Sequence, residues 1–239
     1  SWVNNYMLQF FKNDSTLGNV PISFALNLGV LERIPTAYNY YFEILSQLPE
    51  EKRENIYWVA GNNGFAYGNY SYMESDFRPS GLLGDVETAT QYAADKFKDF
   101  GIDLMGFFIG DIKSEKMVNA LAKAYPMGIC VSDVNYYRNP LVTGEGIKDG
   151  GVGVIHTSAS GAHSTVDTWN TAAEISGNLH LLNNGSPNFI AVRAVLTNPS
   201  SISNLASRLE TYKDQLNAEI VDPYTFFELY RQYQISLQK

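Results

Sequence analysis

Two hydrophobic patterns alternate along this chain. Short apolar runs rich in β-favouring residues predict strands, and segments whose apolar residues recur three and four positions apart predict amphipathic helices. The predicted strands are 20–26, 56–60, 104–110, 128–132, 151–157, 189–197 and 219–221. The predicted helices are 34–48, 86–100, 115–125, 166–182 and 202–216, together with an opening helix through Phe10-Phe11 and a closing helix after Pro223.

Polar residues mark where several of these helices begin. Asp85 and Ser114 each stand directly before a helical pattern, where their side chains can accept a hydrogen bond from the first turn. Asp222 followed by Pro223 places a cap and a first-turn proline before the closing helix. The order of strands and helices is therefore a repeated βα arrangement.

Several predicted strands are almost continuously apolar, which is typical of a parallel sheet covered on both faces. A doubly wound dinucleotide-binding sheet should carry a glycine-rich turn after its first strand, but Gly151-Val152-Gly153 leads into a strand instead. We therefore predict an α/β fold of the TIM-like (β/α) barrel type, incomplete or seven-stranded. Because the chain opens on a helix, we expect the first strand to be missing and residues 1–239 to be one barrel domain from a longer protein.

Composition excludes several classes of function. With 45% hydrophobic and 18% charged residues the chain is globular, and no apolar run is long enough to cross a membrane. The net charge of -8 and the scattered Lys and Arg residues argue against a nucleic-acid partner. Cys130 is the single cysteine, so no intrachain disulfide or thiolate cluster can form, and its apolar neighbours predict a buried thiol.

The segment from Gly61 to Tyr72 is the most informative part of the sequence. It follows the predicted strand 56–60 and combines glycines with Asn and Tyr side chains. Glycines allow a tight turn, while amide groups, hydroxyls and flat rings suit the recognition of a sugar. We call residues 61–72 the signature segment.

Three stretches in order resemble the C-terminal domain of the GxGYxYP putative glycoside hydrolase family. They are Asn19-Val20-Pro21-Ile22-Ser23, then Ile34-Pro35-Thr36-Ala37-Tyr38-Asn39-Tyr40-Tyr41, then the turn 61–67. The closing stretch 221–229 is similar to that family's final strand and helix. Within Asn62-Asn63-Gly64-Phe65-Ala66-Tyr67-Gly68 the second glycine and second tyrosine of the family pattern are kept, Phe replaces its first tyrosine, and its leading glycine and its proline are absent. The resemblance implies a TIM-like barrel and glycan hydrolysis.

Barrel active sites lie at the carboxyl ends of the strands, so those positions supply the candidate site. Glycoside hydrolysis requires two carboxyl groups across the scissile bond, and Asp111 and Asp133 follow two consecutive strands. We predict these as the catalytic pair. The predicted substrate-binding residues are Asn27, Asn62, Asn63, Tyr67, Asn135, Tyr136, Tyr137 and His156.

Other roles remain open for these residues. Asp111 can cap the following helix and Asp133 can stabilise a turn, and a tyrosine in a loop can serve packing alone. His156 and His163 could hold zinc with one of the two aspartates, as in a carbohydrate deacetylase, but no ligand spacing supports a metal site. A barrel that binds sugar without catalysis, or that is purely structural, is the main alternative to the hydrolase.

We expect no cofactor and no bound metal. The expected partners are a carbohydrate and the other domains of a longer chain, and the expected location is secreted or periplasmic. No signal peptide is visible, which is uninformative if the chain is part of a longer protein.

Overall fold

In the described part of the chain, apolar runs form strands and the amphipathic patterns form helices. The computed structural model describes residues 8–61, 64, 70, 85–109, 112, 114–131, 139–160, 187–194, 198–211 and 219–239. The strands are β1 Ile22–Leu26, β2 Ile56–Ala60, β3 Leu104–Phe108, β4 Gly128–Val131, β5 Leu141–Val142, β6 Val152–Ser160 and β7 Ala191–Arg193. The helices are α1 Leu8–Asn13, α2 Leu28–Arg33, α3 Pro35–Ser46, α4 Glu50–Arg53, α5 Val86–Lys98, α6 Glu115–Ala124, α7 Pro199–Glu210 and α8 Pro223–Ser236.

Side-chain caps fix the starts of α5 and α6, as the sequence predicts. The Asp85 carboxylate accepts a hydrogen bond from the Thr88 amide at 2.8 Å. The Ser114 hydroxyl oxygen accepts one from the Met117 amide at 3.0 Å. Both cap residues have extended backbones, so each ends the preceding loop and satisfies an amide that the first turn leaves without a partner. The closing helix α8 begins at Pro223, also as predicted.

The described strands form an open, mostly parallel sheet in a mixed α/β fold. Their order is β1-β2-β3-β4-β6-β5, and β7 also pairs with β6. The pairs β2/β3, β3/β4 and β4/β6 are parallel. Backbone bonds from Ile22 to Asn55 and from Gly61 to Leu26 show that β1 runs in the same direction as β2. The predicted parallel βα arrangement is confirmed for this part of the sheet.

Two local features differ from the prediction, and a third adds detail to it. β5 is an unpredicted strand that pairs antiparallel with β6, with Leu141 opposite Gly153. Residues 219–221 were predicted as a strand and are irregular, because Glu219 and Ile220 are exposed and supply no buried face. In β1, Ser23 and Ala25 are exposed, so one face of this strand is open, and β1 is not among the strands that the apolar pattern predicts to be buried on both faces.

Contacts divide the chain into two compact units. The first consists of Ser1–Ile22, Ile34–Tyr57 and Ser158–Asp222, and the second consists of Ser23–Arg33, Trp58–Thr157 and Pro223–Lys239. In the first unit the ring of Phe11 lies 5.1 Å from that of Tyr41 and joins α1 to α3. Tyr38 and Tyr41 are buried, whereas Tyr40 is exposed and its ring lies under the Lys12 ammonium group.

The second unit has its core around β3 and β4. Helices α5 and α6 pack together, and Phe97, Met117 and Leu121 are fully buried. The ring of Phe227 on α8 occupies the space where a side chain at Gly128 would lie, so this glycine allows the helix to approach β4. Cys130 is buried, which confirms the predicted core thiol.

No helix among the described residues combines the length and the hydropathy that crossing a membrane would require.

Candidate functional site

Three parallel strands place residues side by side at one level of the sheet. Phe108, the last residue of β3, is opposite Val131, the last residue of β4. Val131 is in turn opposite His156 in β6. Phe108 and Val131 thus mark the carboxyl ends of β3 and β4, whereas β6 continues beyond His156 to Ser160. The carboxyl ends of parallel strands are where α/β proteins place their binding sites.

The two predicted catalytic aspartates follow the ends of β3 and β4 in the sequence. Asp111 comes three residues after Phe108, and Asp133 comes two residues after Val131. Both aspartates lie outside the described residues. So do the predicted sugar-binding residues Asn62, Asn63, Tyr67, Asn135, Tyr136 and Tyr137. Of the predicted site residues, the structure therefore describes Asn27 and His156.

Asn27 begins a helix at the end of β1. Its side-chain oxygen accepts a hydrogen bond from the Val30 amide at 3.1 Å, and its backbone oxygen accepts from the Val30 and Leu31 amides. Asn27 therefore caps the start of α2, and its sugar-binding role stays a prediction. The preceding residue, Leu26, accepts from the Gly61 amide at 2.8 Å, so Asn27 stands beside the start of the signature segment.

His156 lies within β6 and is half-buried. It is opposite Val131, the last residue of β4, but β6 itself continues four residues farther, to Ser160. His163, its partner in the zinc alternative, lies outside the described residues. Within the described ranges, no group of three His, Cys, Asp or Glu side chains is arranged to hold a metal ion.

Two described residues of the signature segment, Gly64 and Tyr70, lie near side chains of β3. The Gly64 amide donates a hydrogen bond to the Gly61 carbonyl at 2.9 Å, which closes a turn, and Gly64 has a φ of 83°. A side chain added there would start 3.5 Å from the Met105 methyl group, near the beginning of β3. Tyr70 is buried, and its ring packs edge-on against Phe108 at 5.6 Å. Tyr70 therefore contacts the last residue of β3.

The hydroxyl of Tyr125 occupies the space next to Gly64. Tyr125 is fully buried, and a Cβ atom on Gly64 would collide with its hydroxyl oxygen. The positive φ and this close approach both require glycine at position 64. Tyr125 follows α6, sixty-one positions away in sequence, and no sequence pattern indicates that it meets the signature segment.

Burial keeps both of these tyrosines in the neutral form. It raises the pKa of Tyr70, and burial together with the neighbouring Tyr70 phenol raises the pKa of Tyr125 well above 10. A neutral phenol can donate a hydrogen bond but is a poor base or nucleophile. The two tyrosines can therefore support the segment, and they are not suited to reacting with a substrate.

The family model for the "GxGYxYP putative glycoside hydrolase C-terminal domain" matches residues 1–231 of the chain. The chain belongs to the GxGYxYP family. Position 64, where Tyr125 and the backbone both require glycine, is the second glycine of the family's pattern. No curated protein and no solved structure gives a significant match to this GxGYxYP chain.

Proposed function

We propose that this chain is the barrel part of a glycan-hydrolysing enzyme whose catalytic carboxylates are Asp111 and Asp133. The main support is that Phe108 and Val131, the last residues of the parallel neighbours β3 and β4, lie opposite each other. Asp111 follows Phe108 by three residues in sequence, and Asp133 follows Val131 by two. The family description, which names a glycoside hydrolase, favours the same reaction.

In this proposal one aspartate protonates the glycosidic oxygen, and the other acts as a base or nucleophile at the sugar carbon. The protonated acid needs a raised pKa, whereas its partner has to be ionised. A separation of about 5 Å between the carboxyl groups gives retention of configuration, and about 6.5 to 9.5 Å leaves room for a water and gives inversion. No cofactor takes part in either route.

The sugar is bound by polar and aromatic side chains that follow neighbouring strands. Asn62, Asn63 and Tyr67 belong to the signature segment, in which the ring of Tyr70 packs against Phe108. Asn27 directly follows β1, His156 lies in β6, and Asn135, Tyr136 and Tyr137 come after β4 in the sequence. Tyrosine rings suit stacking on sugar rings, and amides suit hydrogen bonds to sugar hydroxyls.

We further propose that the sheet belongs to a TIM-like barrel, formed by a single domain of a longer, secreted or periplasmic protein. The parallel neighbours β1 to β4 and β6, with helices between most of them, support a barrel. The antiparallel strand β5 is then an addition to β6. The family description names a C-terminal domain, which supports a longer protein.

Turnover of a panel of 4-nitrophenyl glycosides tests this proposal. Asp111→Asn and Asp133→Asn should each lower kcat by about 10²- to 10⁴-fold, because an amide cannot exchange the proton, while binding of the same glycoside persists. Asp99→Asn, at an exposed position after α5, is the matched control and should leave kcat unchanged. Wild-type kcat in both variants would contradict the assignment.

A barrel that binds sugar without catalysis is the second candidate. It is favoured by the departures from the family pattern, with Asn62, Phe65 and Gly68 at positions where that pattern has Gly, Tyr and Pro. Glycoside binding by the wild-type chain with no turnover of any member of the panel would support this candidate.

A further inference from the structure

The backbone of Tyr125 fixes the position of its ring. The Tyr125 amide donates to the Leu121 carbonyl at 2.8 Å, at the end of α6, and its carbonyl accepts from the Gly128 amide at 3.3 Å, at the start of β4. The side chain is fully buried. Because the backbone is tied to a helix and to a strand, and close packing restricts the side chain, the hydroxyl group has a fixed position.

This hydroxyl borders the turn that opens the signature segment. The turn is tied to β1 through the Gly61 amide, which donates to the Leu26 carbonyl at 2.8 Å, and the bond from the Gly64 amide to the Gly61 carbonyl closes it. A Cβ atom at Gly64 would collide with the Tyr125 oxygen and lie 3.4 Å from the Cβ of Ala93 on α5. The turn is therefore held at Gly61 by β1, and no further carbon atom fits between Gly64 and Tyr125.

We propose that Tyr125 is a positioning residue for sugar binding, which acts by holding Gly64 in place. Three predicted sugar-binding residues are close to Gly64 in the sequence, with Asn62 and Asn63 directly before it and Tyr67 three positions after it. The inference rests on the proposed function, since it takes the signature segment as part of the sugar site. Tyr125 itself touches no sugar, because its hydroxyl is buried.

Removing this hydroxyl should affect the arrangement of the segment more than the stability of the fold. Among the described residues the hydroxyl has no hydrogen-bond partner, so Tyr125→Phe breaks no hydrogen bond there. The variant leaves a gap of one atom beside Gly64, and the surroundings of such a gap relax only in part. The turn then has more than one arrangement, and a bound sugar has to select one of them at a cost in affinity.

The affinity for a glycoside and the turnover of the same glycoside test the proposal. Tyr125→Phe should raise the Kd of the 4-nitrophenyl glycoside that the wild type binds best by about 3- to 10-fold. It should leave kcat within about 2-fold, because Asp111 and Asp133 are not part of the segment. Tyr230→Phe is the matched control, since its buried hydroxyl bonds the Val154 carbonyl instead, and it should leave Kd unchanged. An unchanged Kd in Tyr125→Phe, or an equal rise in both variants, overturns the proposal.

A compensating pair of substitutions tests the contact itself. Gly64→Ala alone should raise Kd by at least about 10-fold, because the added methyl group collides with the hydroxyl and displaces the turn. In Gly64→Ala/Tyr125→Phe the methyl group takes the space of the missing hydroxyl, so Kd should be less than about a third of the Gly64→Ala value. A double variant whose rise in Kd equals the product of the two single rises would overturn the proposal.

Amide hydrogen exchange at Gly64 gives a readout that needs neither a glycoside nor the Gly64→Ala variant. The Gly64 amide bonds the Gly61 carbonyl at 2.9 Å. Tyr125→Phe should speed its exchange by about 10-fold, whereas Tyr230→Phe should leave it at the wild-type rate. Equal rates in the wild type and Tyr125→Phe overturn the proposal. Faster exchange in Tyr125→Phe, in a protein that binds no glycoside, overturns the glycan function and leaves the support of Gly64 by Tyr125 in place.

Discussion

The hydroxyl of Tyr125 lies where a side chain on Gly64 would begin. Because Gly64 also has a φ of 83°, alanine at this position meets both backbone strain and a steric clash. Gly64→Ala should lower the free energy of unfolding by about 2 to 4 kcal/mol, measured by urea denaturation. An unchanged free energy would contradict the close approach.

Two further variants separate strain from clash. Gly101→Ala introduces a side chain at a φ of 67° with open space around it, so it should cost about 1 kcal/mol from strain alone. In the double variant Gly64→Ala/Tyr125→Phe, the clash at position 64 is relieved. Part of the lost free energy of unfolding should then be recovered, and a double-mutant cycle measures this recovery. Strict additivity in the cycle would show that the two residues do not interact.

Removing the hydroxyl group of Tyr125 or of Tyr230, two buried tyrosines, should change the free energy of unfolding differently. Among the described residues the Tyr125 hydroxyl finds no hydrogen-bond partner, whereas the Tyr230 hydroxyl donates to the Val154 carbonyl at 3.2 Å. Tyr230→Phe should therefore lower the free energy of unfolding by about 1 kcal/mol. Tyr125→Phe should leave it unchanged or raise it, because the buried hydroxyl is unsatisfied. Equal losses in the two variants would show that the Tyr125 hydroxyl has a partner.

Local sequence signals predict elements better than contacts between distant segments. Asp85, Ser114 and Pro223 mark helix starts because a cap acts within one turn of itself. The contact of Tyr125 with Gly64 joins residues far apart in sequence, and neither residue type signals it. Strand β5 is missed because two residues are too few for a pattern, and its pairing depends on the glycines that turn the chain before β6.

The candidate site is predictable to the level of strand ends. Apolar runs show where β3 and β4 end, so Asp111 and Asp133 are recognised as residues that follow those ends. The predicted strand ends at position 157, one residue after His156, whereas β6 continues to Ser160. The prediction is too short because the residues that follow position 156 are small and polar and do not form an apolar run. Asn27 was predicted for binding alone, and its capping of α2 was not foreseen because that helix has six residues.

Removing the α5 cap tests a prediction made from sequence alone. Asp85→Ala leaves the Thr88 amide without its side-chain acceptor and should lower the free energy of unfolding by about 1 kcal/mol. Asp85→Asn keeps an oxygen in place and should cost a few tenths of that amount. Chemical denaturation of the two variants distinguishes a lost cap from a lost charge. Both variants lose the charge, so equal losses of unfolding free energy would show that the charge, and not the capping hydrogen bond, stabilises the helix.

Acid should weaken the fold through Glu228. Hydrogen bonds from Arg231 and Gln232 lower the pKa of this carboxyl from 4.5 to about 2. The folded state therefore holds the ionised form more strongly than the unfolded state does, and the stabilisation is complete above about pH 5 and is lost as the pH falls toward 2. In Glu228→Gln the dependence of the unfolding free energy on pH between 2 and 5 should be shallower than in the wild type.

The pKa of Asp103 is shifted in the opposite direction to that of Glu228, so its contribution to stability should depend on pH in the opposite way. Burial raises its pKa above 3.8, so its contribution favours the folded state at low pH and is lost as the pH rises through the folded-state pKa. Asp103→Asn, which keeps an oxygen for the Tyr224 hydroxyl, should steepen the rise in unfolding free energy with pH. Identical slopes in both variants and the wild type would exclude these two carboxyls as the source of the pH dependence.

The separation of the Asp111 and Asp133 carboxyl groups, measured in a crystal structure of the protein, tests the catalytic assignment most directly. We predict that the two groups face one cleft at the carboxyl edge of β3 and β4, within about 10 Å of each other. Carboxyl groups farther apart than this, or directed to opposite sides of the sheet, would contradict the proposed hydrolase.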